Sequence, residues 1–154
     1  MNNTFKLNLN NVTYEVYVEL DKYESNNALS VNLIDAETNE VFDVISVNLP
    51  SAAIWLKEYE FFLDANNCPY AAKFLIENKI AKPTRGSCTV GHCRYPIYKL
   101  IGKAKRYKIF YQDCPILDNK GNIELFTKSE AQQYLDEVDI LDKNNYTVEE
   151  ILIW

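Results

Sequence analysis

Hydrophobic and polar residues alternate along much of the first fifty positions, a pattern typical of strands with one buried and one solvated face. Four such runs follow one another, at residues 5–9, 14–20, 29–33 and 45–49. Asn10-Asn11 and the polar segment 35–40 are turn signals between them. Four short strands joined by turns predict an antiparallel meander.

The pattern changes after Pro50, which cannot donate to a strand ladder and is expected to end the fourth strand. Residues 51–56 fit either a helical turn or a loop whose Trp55 packs on the sheet. Residues 69–80 place apolar side chains at helical spacing, which predicts a helix that covers the sheet. We expect this helix to close before Pro83, because a proline disfavours helical geometry in the residue preceding it.

The second half of the chain predicts a strand pair around Gly91 and then a smaller unit. Thr127 and Glu130 have the spacing of a capping box, and apolar residues as far as Leu141 continue at helical spacing. We therefore expect an α+β protein, in which an antiparallel meander packs against one or two helices. The expected domains are a core at residues 1–102 and a strand-strand-helix extension packed on it at residues 103–154.

Composition places the chain among globular proteins, with 154 residues, of which 47% are hydrophobic. The N-terminus shows neither the basic nor the apolar region of a signal peptide, and no apolar run reaches the length that crosses a bilayer. We expect a cytoplasmic protein without membrane association. Its four cysteines would then stay reduced.

Four segments carry a family resemblance when taken in order: VFDVISVNLP at 41–50, EFF at 60–62, LIENKIAKPT at 75–84 and PIYKLI at 96–101. Together they resemble a family of small uncharacterised proteins that share a domain of unknown function. The resemblance covers about residues 12–101. It implies an α+β domain carried on phages, plasmids and integrative elements of Gram-positive gut bacteria, with no catalytic residues to carry over.

Charge is divided into blocks along the chain. Residues 1–78 hold four Lys or Arg against twelve Asp or Glu, residues 79–108 hold nine Lys or Arg and no acid, and residues 109–154 hold three against ten. Such blocks can mark binding surfaces, and they can also hold parts of one fold together.

The basic block suggests one kind of site, because cations that contact phosphates and rings that stack on bases form a platform for single-stranded nucleic acid. Its candidate residues are Arg94, Lys99, Lys105, Arg106, Tyr98 and Tyr107. The alternative is that these charges face the chain's own acids or the solvent. The pI of the chain, about 4.8, opposes long-range attraction to phosphate.

The acidic blocks suggest a protein-binding site instead. A surface of carboxylates can imitate nucleic-acid phosphates and occupy the basic groove of another protein. The candidate residues are Glu15, Glu19, Asp21, Glu24, Asp136, Glu137, Asp139 and Asp142. An acidic face that serves only solubility is the alternative.

Cys88, His92 and Cys93 lie within six positions, with Cys68 and Cys114 on either side. Zinc sites usually show paired CxxC spacing, whereas the spacing here is irregular and His92 is the only histidine. A Cys-His nucleophile would need a third, orienting residue, which the sequence does not identify. We expect ordinary half-buried thiols, with no metal, no cofactor and no catalytic residue.

The resulting functional expectation is a non-enzymatic mobile-element protein that binds and inhibits a host protein. The concrete version is a counter-defence inhibitor whose partner is a CRISPR nuclease or a restriction enzyme. The alternative is a nucleic-acid-binding accessory protein that uses residues 79–108. The sequence makes no prediction of the oligomeric state.

Overall fold

The computed structural model describes residues 3–102 and 104–154. The chain divides into two compact units, the first ending at Ile101 and the second beginning at Gly102. The strands are β1 (Phe5–Leu9), β2 (Val12–Lys22), β3 (Leu29–Asp35), β4 (Val41–Val44), β5 (Ser46–Val47), β6 (Glu60–Leu63), β7 (Ala81–Val90), β8 (Cys93–Leu100), β9 (Ala104–Tyr111), β10 (Cys114–Pro115) and β11 (Tyr146–Ile153). The helices are α1 (Pro50–Ala53), α2 (Ala71–Glu77) and α3 (Lys128–Glu137).

The expected α+β class is wrong, because antiparallel sheets dominate the fold. Strands account for 48% of the chain and helices for 15%. The helix expected at residues 69–80 is only the seven-residue α2, and the chain is already a strand at Ala81. Pro83 therefore lies inside β7, an edge strand where its missing N–H costs no ladder bond in the sheet interior.

The first sheet is an antiparallel meander in the order β1-β2-β3-β4. Its first three strands lie where the alternation predicts them. Asn10 and Asn11 both have positive φ, 49° and 66°, as the two-residue hairpin between β1 and β2 requires. Val16 on β2 and Val31 on β3 are completely buried, and they direct the apolar side of the alternation into the core.

The prediction of a fourth strand at residues 45–49 is wrong. The meander's last strand ends at Val44, and Ser46–Val47 pairs with β6 in a second sheet of order β5-β6-β8-β7. Ile45 joins the two sheets, since its N–H donates to the carbonyl of Val31 at 3.0 Å and its carbonyl accepts from the N–H of Asp64 at 2.9 Å. Residues 45–49 alternate without a break, which suggests a single strand, and the interruption lies just before them, where Val44 and Ile45 are both apolar.

A serine side chain completes this crossing. Where β4 has left the first sheet, the N–H of Val31 donates to Ser46 Oγ at 2.9 Å. The same oxygen shares a hydrogen bond of 2.9 Å with the hydroxyl of Tyr23. Ser46 is only 4% exposed, so its hydroxyl substitutes for the carbonyl that a continuing strand would have supplied.

The core of the first unit lies around β3 and β6. Residues Ser30 to Ile34 of β3 are all buried, as are Phe61, Phe62 and Leu63 of β6. Helix α2 packs on this core through Ala71, Phe74 and Leu75, and the rings of Phe5 and Phe74 meet edge to face at 6.3 Å.

The second unit is a three-stranded sheet, β10-β9-β11, with α3 packed near β9. Helix α3 begins with the predicted capping box, in which Thr127 Oγ1 accepts from the N–H of Glu130 and the Glu130 carboxylate accepts from the N–H of Thr127. The core of the second unit is formed by Ile109, Phe126 and Ala131. In the part of the chain that the structure describes, no helix combines the length and the apolar character needed to cross a membrane.

The crossing at Ser46 predicts a measurable loss of stability. Ser46→Ala would leave the buried N–H of Val31 without its acceptor, so we expect the free energy of unfolding to fall by about 1–3 kcal/mol. Tyr23→Phe removes only one of the two hydroxyls and keeps the bond from Val31, so we expect a loss of about 1 kcal/mol. Urea unfolding of both variants measures the difference. Equal losses would contradict the role given to Ser46.

Candidate functional site

The first acidic group lies on β2 of the first unit. Glu15, Glu19 and Asp21 are an even number of residues apart, so their side chains share one face of the sheet, and all three are exposed. Glu24 follows in the exposed loop after the strand. Lys6 lies directly opposite Glu15 in the β1–β2 register and offsets part of this charge.

The second acidic group ends α3 and forms the turn after it. Its residues Asp136, Glu137, Asp139 and Asp142 are all exposed. Asp139 Oδ1 accepts from the N–H of Leu141 at 3.1 Å, and the carbonyl of Asp139 accepts from the N–H of Asp142 at 3.0 Å. Asp136 and Glu137 accept hydrogen bonds from Gln132 and Gln133 one helical turn earlier. In the described part of the chain none of the four carboxylates forms an ion pair.

Two large apolar side chains lie within the second acidic group, between Asp139 and Asp142. Ile140 is 78% exposed and Leu141 is 84% exposed. The expectation that Leu141 continues the apolar face of the helix is wrong, because α3 ends at Glu137 and Asp139 turns the chain. We call residues 136–142 the acid-rimmed tip. Sequence reasoning identified its acids but missed Ile140, whose position between Asp139 and Asp142 in the run DEVDILD was the available signal.

The nucleic-acid-binding candidates of the first unit, Arg94, Tyr98 and Lys99, all lie on β8. Tyr98 is only 6% exposed and packs against Phe61, so its ring cannot receive a base. Lys99 is exposed and lies between Glu60 and Lys82 in the register of three strands. Arg94 directs its Nε to Ser87 Oγ at 3.0 Å on the neighbouring strand.

The basic candidates of the second unit interact with acids of their own sheet. Lys105 Nζ lies 2.9 Å from the Glu150 carboxylate, and the hydroxyl of Tyr107 donates to the same carboxylate at 2.8 Å. The pKa of Glu130 is lowered, mainly by the hydrogen bonds from Thr127 and to a lesser degree by the charge of Arg106. The six candidates are therefore divided between two units, and those of the second unit have acidic neighbours there.

The cysteine-histidine segment forms the end of the β7–β8 hairpin. Cys88 lies opposite Tyr95 and Cys93 lies opposite Val90, so both thiols are on one face of the hairpin. His92 is exposed in the turn beside Gly91, whose φ of 60° favours glycine. Within residues 3–102 and 104–154, no three His, Cys, Asp or Glu side chains converge so as to hold a metal ion.

Cys68 belongs to a separate polar cluster beside the sheet crossing. Its Sγ donates to Asp43 Oδ2 at 3.4 Å, and the hydroxyl of Tyr70 donates to the same oxygen at 2.7 Å. Burial, and then the neighbouring Asp43 carboxylate, raise the pKa of the Cys68 thiol to about 12. Burial and Asp43 also raise the pKa of Tyr70 above its usual value. The thiol thus remains protonated and holds the start of α2 against β4; it does not cap the helix, whose first residue follows Tyr70.

The molecule is a predominantly antiparallel β protein whose most exposed apolar residues in the second unit lie among carboxylates. The chain belongs to the family described as Domain of unknown function (DUF4313), whose model matches residues 17–113. No curated protein and no solved structure matches the chain. The matched region runs from β2 to the turn after β9, so the acid-rimmed tip lies beyond it.

The environments of the thiols predict an order of reaction. With iodoacetamide at about pH 8, we expect the exposed Cys114 to be alkylated first and Cys68 only after unfolding, because a buried protonated thiol is not a nucleophile. Peptide mass spectrometry of timed samples measures the order, and labelling in denaturant is the control. Rapid labelling of Cys68 in the folded protein would refute the cluster described above.

The same cluster predicts a pH dependence of stability. The folded-state pKa of Cys68 is raised from 9.0 to about 12, so its stabilising contribution is complete below pH 9 and is lost as the pH rises towards 12. We expect the free energy of unfolding to fall less steeply over this range in Cys68→Ala than in the wild type. Urea titrations across the range test this, and identical slopes would contradict it.

Proposed function

We propose that the protein is a non-enzymatic binding protein that occupies a surface of another protein through the acid-rimmed tip. The observation that carries the proposal is the exposure of Ile140 and Leu141 at 78% and 84%, in a turn that Asp139 and Asp142 fix by hydrogen bonds. Protein interfaces combine an apolar centre with a polar rim, and their binding energy is concentrated in a few central side chains. The tip has this arrangement.

The charge of the tip defines the kind of partner. Four carboxylates within seven residues, without a lysine or arginine among them, complement an apolar pocket bordered by cations. Strongly basic surfaces are typical of proteins that bind nucleic acids. The proposed partner is therefore a host protein with a basic nucleic-acid-binding surface, and a CRISPR nuclease or a restriction enzyme is the concrete candidate. The protein would inhibit it by steric and electrostatic occupation of that surface.

The mobile-element setting that the sequence resemblance implies supports this choice of partner. A small protein carried on a phage or plasmid would benefit its element by blocking a host nuclease. The proposal requires no chemistry from the chain, which agrees with a Cys68 thiol whose raised pKa keeps it protonated.

The first acidic group makes a weaker case for the same role. Glu19 and Asp21 are exposed on β2, but Lys6 lies opposite Glu15, and an acidic strand face of this kind also serves solubility. This difference makes the two groups natural controls for each other.

The proposal predicts the result of a binding experiment on the full chain. The tagged protein would retain one host protein from lysate, both with and without nuclease treatment. Ile140→Ser combined with Leu141→Ser should weaken retention about 30-fold, because central interface side chains contribute about 2 kcal/mol or more. Asp136→Lys combined with Glu137→Lys should weaken it as well, while cations near the end of α3 remain compatible with the helix dipole.

The matched control is Glu15→Lys combined with Glu19→Lys, which reverses as many charges on β2 and should leave retention unchanged. If the β2 variant loses retention and the tip variants keep it, the binding surface lies on β2 instead. Retention that disappears with nuclease treatment would favour the nucleic-acid alternative, which Arg94→Glu with Lys99→Glu would then test. Turnover of a substrate that depends on Cys88 or Cys93 would refute the non-enzymatic proposal.

A further inference from the structure

Among residues 3–102 and 104–154, the three sheets have six edge strands, of which five carry features that discourage pairing with another chain. Strands β5 and β10 have two residues each, β4 has four and a register shift in its pairing, and β1 has five and carries Lys6. The ten-residue β7 contains Lys82, Pro83 and Arg85, and its register shifts between Pro83 and Ser87. Each of these edges is short, charged or irregular.

Strand β11 is the exception. All eight residues, Tyr146 to Ile153, pair with β9 in one unbroken register, and the strand contains no proline, no lysine and no bulge. In the described part of the chain the sheet has no strand on the other side of β11. An edge of this length and regularity is a template for an added strand.

The backbone of β11 shows which of its groups face that edge. The carbonyl of Ile109 on β9 accepts from the N–H of Ile116, so the backbone of Ile109 is directed away from β11. Its register partner Val148 therefore forms a non-hydrogen-bonded pair with it. The direction of the backbone groups alternates from one residue to the next along a strand. Val148 and Leu152 are an even number of residues apart, so both direct their N–H and C=O towards the outer edge.

The side chains on the same strand suit pairing rather than repulsion. Val148 is 45% exposed on the face that continues from the buried Ile109, so an added strand would extend an existing core. The acids of β11 are already balanced inside the sheet, since Glu149 lies opposite Lys108 and the Glu150 carboxylate contacts Lys105 at 2.9 Å.

We propose that β11 binds β11 of a second copy of this chain in antiparallel pairing, which joins two three-stranded sheets into one of six strands. The contact is isologous, as in most symmetric dimers. In the register that sets these two outward-facing residues opposite each other, Val148 pairs with Leu152 of the second copy, and Leu152 with Val148 of the second copy. The two-fold axis then passes beside Glu150, whose charge Lys105 neutralises in each copy.

A second copy fits this edge better than an unrelated basic strand does. The carboxylates that would attract lysines from such a strand already have cationic neighbours on β9. The apolar pairs between Val148 and Leu152 occur twice under two-fold symmetry. This inference does not depend on the proposed function, because it rests on residues 146–153 and the acid-rimmed tip comprises residues 136–142.

The test measures the mass of the full chain in solution as a function of concentration, by light scattering after size exclusion and by sedimentation. We expect the wild type to approach twice the monomer mass of 17.9 kDa as concentration rises. Val148→Pro should raise the dimer dissociation constant about 30-fold or more, because symmetry removes two hydrogen bonds at once. It should preserve the fold, since the lost N–H is not bonded to β9.

Val148→Thr is the matched control: it keeps the branched shape and the N–H, so it should remain dimeric. Hydrogen exchange of the wild type provides a readout without mutation, in which the amides of Val148 and Leu152 should become protected only at concentrations that give the dimer. A wild type that stays monomeric at every soluble concentration would overturn the proposal. A dimer that Val148→Pro leaves intact, with those amides unprotected, would overturn it too.

Discussion

The first unit depends on one constraint: the chain must leave one sheet and enter another within two residues, and no buried backbone N–H or C=O may lose its hydrogen-bond partner. The backbone of Ile45 satisfies this constraint, because its N–H donates to β3 and its carbonyl accepts from the residue that follows β6. Ser46 meets it with its side chain, which accepts from Val31 where β4 has ended. An unpaired buried N–H costs about as much as several favourable surface contacts. The crossing therefore fixes how the two sheets share a core.

Several features of the candidate sites follow from this crossing. Because β5 leads the chain into the second sheet, β6 lies between β5 and β8, and its Phe61 packs against Tyr98. Burial of Tyr98 places Lys99 on the opposite face of β8, where it faces Glu60 and Lys82 across the strands. At Tyr98 and Lys99, the alternation of basic and aromatic residues therefore follows the inside-outside alternation of a strand.

Sequence reasoning succeeded where a local pattern determines a local structure. Alternation located β1 to β3, and the Thr127–Glu130 spacing located the start of α3. It failed where tertiary contacts decide. The residues after Pro69 have helical spacing as far as Ile80, but α2 ends at Glu77 and the chain enters β7 at Ala81. Leu141 has the spacing of a helix face, but the side chain of Asp139 turns the chain before it. The sheet change at Ile45 is marked only by the adjacent apolar pair Val44 and Ile45, and the exposure of Ile140 has no periodic signature.

Charge within the second unit is arranged in two different ways, and the difference supports the proposed role of the acid-rimmed tip. On the sheet, Lys105 contacts the Glu150 carboxylate and Lys108 lies opposite Glu149 in the β9–β11 register, so charges of opposite sign lie close together. At the acid-rimmed tip the carboxylates accept hydrogen bonds from N–H groups and amides, and in the described part of the chain none of them forms an ion pair. Exposed apolar side chains with a polar rim are typical of surfaces that bind another protein. The family model ends at residue 113, before this segment. The binding specificity that we propose therefore resides in residues outside the matched region.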